Sequence, residues 1–337
     1  MRALITGVAG FIGLHVAERL LDAGHDVVGL DGFTPYYDVT LKEARHARLA
    51  KRNRYGGHRF MLEDAGALMA LVADAKPDVV IHLAAQAGVR YSLENPRAYV
   101  DSNLFGTFNL MEAVREVGAK GCGVKHFLMA STSSVYGANP SMPFRESDRT
   151  DWPMTLYAAT KKATEGMAHS YAHLWRIPTT AFRFFSVYGP WGRPDMAFFK
   201  FARGIVEGTP IDLYNHGAMA RDFTYIDDLA EGIVRLVGCV PGDAPACPGD
   251  SLSPATPFRA VNIGRGRPEK LLDFLAALEK ALGKPAVRNN MPKQPGDPET
   301  TWADASLLAA LTGYTPTTSI EEGTRKFVDW YRAYRAA

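Results

Sequence analysis

The run Arg2-Ala3-Leu4-Ile5-Thr6-Gly7-Val8-Ala9-Gly10-Phe11-Ile12-Gly13 decides the fold. A short apolar strand breaks into three glycines at i, i+3 and i+6, and an amphipathic helix follows to about residue 21. Gly24-His25 ends that helix, and a second strand over residues 26–30 closes on Asp31. In such a strand–turn–helix–strand unit the first glycine permits the tight turn. The second lets backbone approach a pyrophosphate, and the third lets helix pack on strand. The helix start, Phe11 and Ile12 included, offers free N–H groups and partial positive charge to phosphates. Asp31 stands where a carboxylate can accept from both ribose hydroxyls, and no arginine follows closely to receive a 2′-phosphate. The pattern therefore predicts a dinucleotide site that takes NAD rather than NADP.

Working outward, residues 33–57 hold a tyrosine-containing loop and a helix with Lys42, Arg45, Arg48, Lys51, Arg52 and Arg54. Without interleaved aromatics this reads as a solvated basic face rather than a nucleic-acid surface. A third strand is expected over 59–62, ending near Asp64, and a fourth over 78–83. Small residues follow the fourth in His82-Leu83-Ala84-Ala85-Gln86, where a cofactor could lie against backbone. His82 itself reads as a packed core histidine. A long helical stretch runs from Asn95-Pro96 to about residue 117, with Asn103 inside it. A fifth strand over 125–130 leads into Ser131-Thr132-Ser133-Ser134-Val135-Tyr136-Gly137, which puts hydroxyls at the carboxyl edge of a parallel sheet, where open α/β sheets hold ligands. Then come Tyr157 and Lys161, four apart and so on one helix face. A phenol beside an ammonium forms an acid–base device in which the positive charge favours phenolate. A sixth strand is expected over 179–185. Alternation of strands and helices argues a doubly wound parallel sheet.

Past residue 185 the chain turns aromatic and turn-rich. A helix near 198–207, a strand over 211–214, a Pro/Gly/Ser-rich loop over about 239–257 and a strand over 261–264 precede a helical C-terminal part. At 337 residues the chain suits one large domain or two interlocked ones. Its 47% hydrophobic and 22% charged content is that of an ordinary globular protein. A net charge of +2 invites neither nucleic acid nor anionic membrane, so any anion site must be built locally. Three cysteines, Cys122, Cys239 and Cys247, lack metal-type spacing and fit reduced thiols. No apolar run reaches transmembrane length, and the first strand begins almost at Met1. A cytoplasmic location is expected.

Taken together, Gly7, Gly10, Gly13, Asp31, Thr132, Tyr157 and Lys161 resemble the extended short-chain dehydrogenase/reductase family, over essentially the whole chain. The second half resembles its nucleotide-sugar branch. Tyr36-Tyr37-Asp38-Val39, Ala87-Gly88-Val89-Arg90-Tyr91-Ser92 and Trp191-Gly192-Arg193-Pro194-Asp195-Met196 are similar to the subfamily of bacterial UDP-glucuronate 4-epimerases. The resemblance implies a Rossmann sheet with a smaller, discontinuous substrate domain. Residues 1–185, 218–240 and 259–280 would bind NAD, and 186–217, 241–258 and 281–337 the sugar nucleotide. It implies NAD contacts at Asp64, Leu83, Ala84, Ala85 and Asn103 beside those of the glycine turn and the Tyr157/Lys161 pair. Tyr157 would act as base, Lys161 would lower its pKa and hold the nicotinamide ribose, and Thr132 would fix the sugar's 4-oxygen. Dehydratases of this family carry Asp-Glu where this chain has Ser133-Ser134, decarboxylases carry Glu at Ser134, and UDP-galactose enzymes carry Asn at Ser186. Ser186 and Arg193 suit a substrate carboxylate, so the resemblance implies 4-epimerisation of a UDP-uronic acid, with decarboxylation to a UDP-pentose or epimerisation of a neutral UDP-hexose as enzymatic alternatives and a non-catalytic NAD-sensing protein on the same fold as the alternative of another class. Gln294 stands where UDP-galactose epimerases have Arg, which leaves Arg221 for the pyrophosphate and Asp297 for the uridine ribose. The family also implies a homodimer, paired through the helices near Asn103 and Tyr157.

Overall fold

The chain alternates strand and helix from its start. In order come β1 (Arg2–Thr6), α1 (Phe11–Asp22), β2 (Asp26–Asp31), α2 (Val39–Ala50), β3 (Tyr55–Arg59), α3 (Ala65–Ala75) and β4 (Val79–His82). Two one-turn helices, α4 (Tyr91–Glu94) and α5 (Pro96–Tyr99), run into a π-helical turn over Val100–Phe105 and then α6 (Gly106–Ala119). β5 (His126–Thr132), α7 (Leu156–Trp175) and β6 (Thr179–Phe184) complete the first half. The second half holds β7 (Ser186–Tyr188), α8 (Ala197–Glu207), β8 (Ile211–Tyr214), β9 (Ala220–Arg221), β10 (Phe223–Tyr225), α9 (Ile226–Leu236) and β11 (Phe258–Ile263). It ends with β12 (Glu269–Lys270), α10 (Leu271–Leu282), β13 (Arg288–Met291), β14 (Thr300–Thr301), α11 (Ser306–Thr312) and α12 (Ile320–Ala336). The structure is a computed structural model and describes residues 1–121, 123–293 and 298–336. Cys122, Gln294 and Asp297 lie outside the described residues.

Seven strands form one parallel sheet in the order β11-β6-β5-β4-β1-β2-β3. Strand order reverses between β1 and β4, and the crevice at that reversal is where doubly wound sheets bind ligands. The smaller pairs β7–β10, β8–β13 and the β12-β9-β14 trio stand outside this sheet. One hydrophobic cluster joins the two halves, running from Leu14 and Val16 of α1 through Ile226 and Leu229 of α9 to Phe199 and Phe327. Among the described residues no helix is long and apolar enough to cross a membrane.

Three local expectations are corrected. The third strand is Tyr55–Arg59, paired with β2 from Val27 to Asp31, not residues 59–62. Gly56 and Gly57 hide a strand whose mostly exposed edge needs only backbone pairing. The apolar run at 60–62 instead reaches the cleft described below. The long helix breaks where Asn95 caps α5 with Pro96 at its first turn, and Asn103 sits in the π-helical turn. The basic helix α2 is solvated on one side only: Lys42 and Arg45 are buried alongside Leu41 and Leu49.

Candidate functional site

The glycine turn is built as its spacing requires. Gly7 adopts φ +73°, and a Cβ on Gly13 would stand 2.1 Å from the Gly7 carbonyl oxygen. Helix α1 can therefore start against the strand end only with glycine at both positions. Gly10 makes no side-chain cap, so the first N–H groups of α1 are left to a ligand. Asp31 is buried at the end of β2 and accepts from Ala9 N at 3.0 Å and Phe33 N at 2.8 Å. Its carboxylate thus holds the turn as well as facing it.

A single cleft follows the carboxyl edge of the sheet. Its wall includes Gly7, Gly10, Phe11, Ile12, Gly13 and Asp31 on one side, and Leu83, Ala84 and Ala85 beyond β4. Thr132, Ser133, Ser134, Tyr157 and Lys161 line its centre, and Ser186, Arg193 and Arg221 its far end. Two expected cofactor contacts are not on the wall. Asp64 caps α3, accepting from Ala67 N at 3.0 Å. Asn103 is fully buried: its side chain exchanges bonds with Gln86 N and O at 2.8 and 3.2 Å and donates to Thr160 at 3.1 Å. It thereby ties the loop after β4 to the helix bearing Tyr157, a positioning task that its π-helical setting allows. His82 is a core histidine between Thr6 and Thr107, at 2.7 and 2.9 Å.

The reacting centre sits on β5 and α7. Thr155 caps α7 through Ala158 N at 3.2 Å, which fixes the turn carrying Tyr157. Behind Thr132, Ser131 donates to Glu165 at 2.6 Å, and Arg183 grips Glu165 with two bonds at 3.0 and 2.9 Å. This buried pair anchors the strand end from which Thr132 projects. Burial pushes the Tyr157 phenol above its ordinary value, with hydrogen bonding to Thr132 and the charge of Arg193 pulling the other way. Burial also draws the Lys161 ammonium down to about 8, opposed by Glu165. Desolvation therefore outweighs the attraction between charges.

At the far end, Arg193 reaches Asp195 through Nε at 3.0 Å and Nη2 at 2.5 Å, and lies over the Tyr36 ring. Tyr36 in turn donates to Asp195 at 3.1 Å. Arg221 donates to the Ala220 and Glu299 carbonyls at 2.8 and 3.0 Å, near Pro298 and Thr301 on the cleft rim. Sequence reading missed Tyr36, Lys42 and Met61 to Glu63 as wall residues. Lys42 donates to Thr34 O and Oγ1 at 2.8 and 3.0 Å. Its signal was present: residues 41, 42, 45 and 49 share one helical stripe.

Sheet order, glycine turn and the paired phenol and ammonium define a dinucleotide-binding α/β protein of the extended short-chain dehydrogenase/reductase class. Within that class, the chain belongs to the GDP-mannose 4,6 dehydratase family, whose sequence model matches residues 4–327. It is 59% identical to a probable UDP-glucuronate 4-epimerase of Rhizobium meliloti strain 1021, over 100% of this chain and 99% of that one. It is 44% identical to UDP-glucuronate 4-epimerase 3 of Arabidopsis thaliana, over 98% of this chain and 76% of the relative. Among solved structures it resembles the UDP-glucuronic acid 4-epimerase of Bacillus cereus in complex with UDP-glucuronic acid and NAD. That match has a TM-score of 0.87 and 34% identity, covering 99% of this chain and 100% of the other.

Proposed function

We propose that this protein is an NAD-dependent epimerase that interconverts UDP-glucuronate and UDP-galacturonate at carbon 4. The observation that carries this reading is the convergence of Thr132, Tyr157 and Lys161 with Ser133, Ser134, Ser186 and Arg193 in one cleft that starts at a glycine turn. The similarity to UDP-glucuronate 4-epimerases from a bacterium and a plant supports it. NAD fits the residues present: the uncapped start of α1 receives its pyrophosphate, and Asp31 receives the adenosine ribose. When bound, NAD supplies the acceptor and then the donor of a hydride at carbon 4.

The chain's own residues do the rest. Tyr157 takes the proton of the 4-hydroxyl as hydride leaves, and returns one after the sugar has turned about its pyrophosphate link. Thr132 holds the 4-oxygen, and its hydroxyl favours the phenolate of Tyr157. Lys161 offers its ammonium to the nicotinamide ribose. Arg193 has Nε and Nη2 engaged by Asp195, leaving Nη1 for a second carboxylate, that of the uronate. Arg221 on the rim suits the diphosphate and Asp297 the uridine ribose. Asp64 and Asn103, placed off the wall, contribute by capping α3 and by tying the Gln86 loop to α7. The NAD-holding part comprises residues 1–185, 218–240 and 259–280, and the remainder holds the sugar nucleotide. The working protein is a cytoplasmic homodimer.

Competing chemistries are disfavoured at the hydroxyl cluster. Elimination needs an extra acid and base, and Ser133-Ser134 supplies neither. Oxidation at carbon 4 makes a β-keto acid, which loses carbon dioxide most readily when its carboxylate stands perpendicular to the ketone plane and is poorly solvated. Serine hydroxyls and the remaining Nη1 of Arg193 hold that group by directional bonds and keep it solvated by protein. The test is Tyr157→Phe. Turnover of UDP-glucuronate falls about 10²–10⁴-fold, the usual loss with a general base, while NAD stays bound. Turnover within about threefold of wild type would remove Tyr157 from the mechanism.

A further inference from the structure

Arg45 is fully buried, yet among the described residues its guanidinium makes no hydrogen bond to a carboxylate. Nη1 donates to Ala9 O at 3.1 Å and to the Tyr37 hydroxyl at 2.7 Å. Nε and Nη2 donate to Trp191 O at 3.1 and 2.6 Å, and Nη2 also to Gly192 O at 3.1 Å. One planar fork therefore touches three separate stretches. Ala9 belongs to the glycine turn, and its N–H is held by Asp31, so this residue is gripped from both sides. Trp191 and Gly192 run directly into Arg193. Trp191 takes φ +60°, an unfavourable conformation for a bulky residue, and the bonds to its carbonyl help to hold it there. A lysine could not meet the same carbonyls, since its ammonium lacks the fixed spread of a guanidinium.

We propose that Arg45 is a positioning residue that ties the NAD-binding turn to the loop carrying Arg193. Retention of NAD and recognition of the uronate carboxylate then depend on the same buried fork. NAD bearing on Gly7 and Gly10, which line the cleft on either side of Ala9, steadies the turn that Arg45 grips, and Arg45 fixes Trp191 and Gly192 so that Arg193 meets the substrate at a set height. The inference rests on the reading of Arg193 given above.

The test uses NAD-loaded enzyme and two readouts. Arg45→Lys lowers the NAD recovered per chain after denaturation. It also raises KM for UDP-glucuronate about tenfold while kcat changes less. In an Arg193→Ala background the same Arg45→Lys change no longer raises KM, because residues acting through one another are non-additive. Additive losses, or unchanged NAD retention, overturn the proposal. Should Arg45→Lys fail to fold, hydrogen exchange on wild type decides: NAD loading slows exchange of the amides at 191–193, and no change there overturns the proposal. A wild type that does not turn over UDP-glucuronate would remove the functional reading, while the exchange result would still judge this coupling separately.

Discussion

In the proposed mechanism, substrate choice turns on Arg193. Its partner Asp195 and the Tyr36 ring fix the guanidinium before any substrate arrives, so little freedom remains to be lost on binding. Arg193→Ala is expected to weaken use of UDP-glucuronate by ~2–5 kcal/mol in kcat/KM, the cost of removing one partner from a desolvated charge pair. A neutral hydroxymethyl group never used that charge, so UDP-glucose should lose far less. Equal losses on both substrates would place Arg193 on the diphosphate or in a structural role. The alanine variant also strands Asp195, so Arg193→Lys, which keeps the charge without the fork, separates charge from geometry.

At the scale of elements, the segment between β5 and α7 hides a carboxyl group that no reaction step uses. Glu146 accepts from Asn262 N at 2.8 Å, and burial pushes its pKa up to about 7 from 4.5. A raised acid pKa means that the folded state favours the neutral form. The contribution to stability is full below the unfolded value and is lost as pH rises through the folded one. Glu146→Gln keeps the accepting oxygen and removes the charge. It should therefore raise Tm relative to wild type at pH 8, with a gain that shrinks markedly by pH 5; an equal gain at both values would point to packing. No sequence pattern marked Glu146, because its burial comes from β11 and distant loops. By contrast β1, α1 and β2 were legible, since their glycine spacing and apolar run are local features that the sheet merely accepts. Asp64 and Asn103 are expected at the cofactor by resemblance alone; their bonds, a cap on α3 and a tie to the Gln86 loop, come from surroundings that spacing does not reveal. β3 was misplaced because an edge strand can be made by Gly56 and Gly57 from backbone bonds alone.

For the whole molecule, one core unites both halves, so the cleft between them is held by shared packing. Several apolar side chains stand exposed near α6 and α7: Phe105 in the π-helical turn, Phe108 on α6, and Leu174 and Trp175 at the end of α7, at 54%, 45%, 62% and 43%. Exposed aromatics on adjacent helices fit burial by a second copy. Phe108→Glu should shift a dimer toward monomer in light scattering, and a wild type that is monomeric at micromolar concentration would contradict the pairing. The fate of carbon 4 decides the proposed function. Wild-type enzyme is incubated with UDP-glucuronate and its products are followed by NMR. UDP-galacturonate is expected to approach a fixed ratio with its epimer, with no net consumption of NAD and little UDP-pentose. Pentose as the main product, or no new sugar at all, would contradict the proposed function.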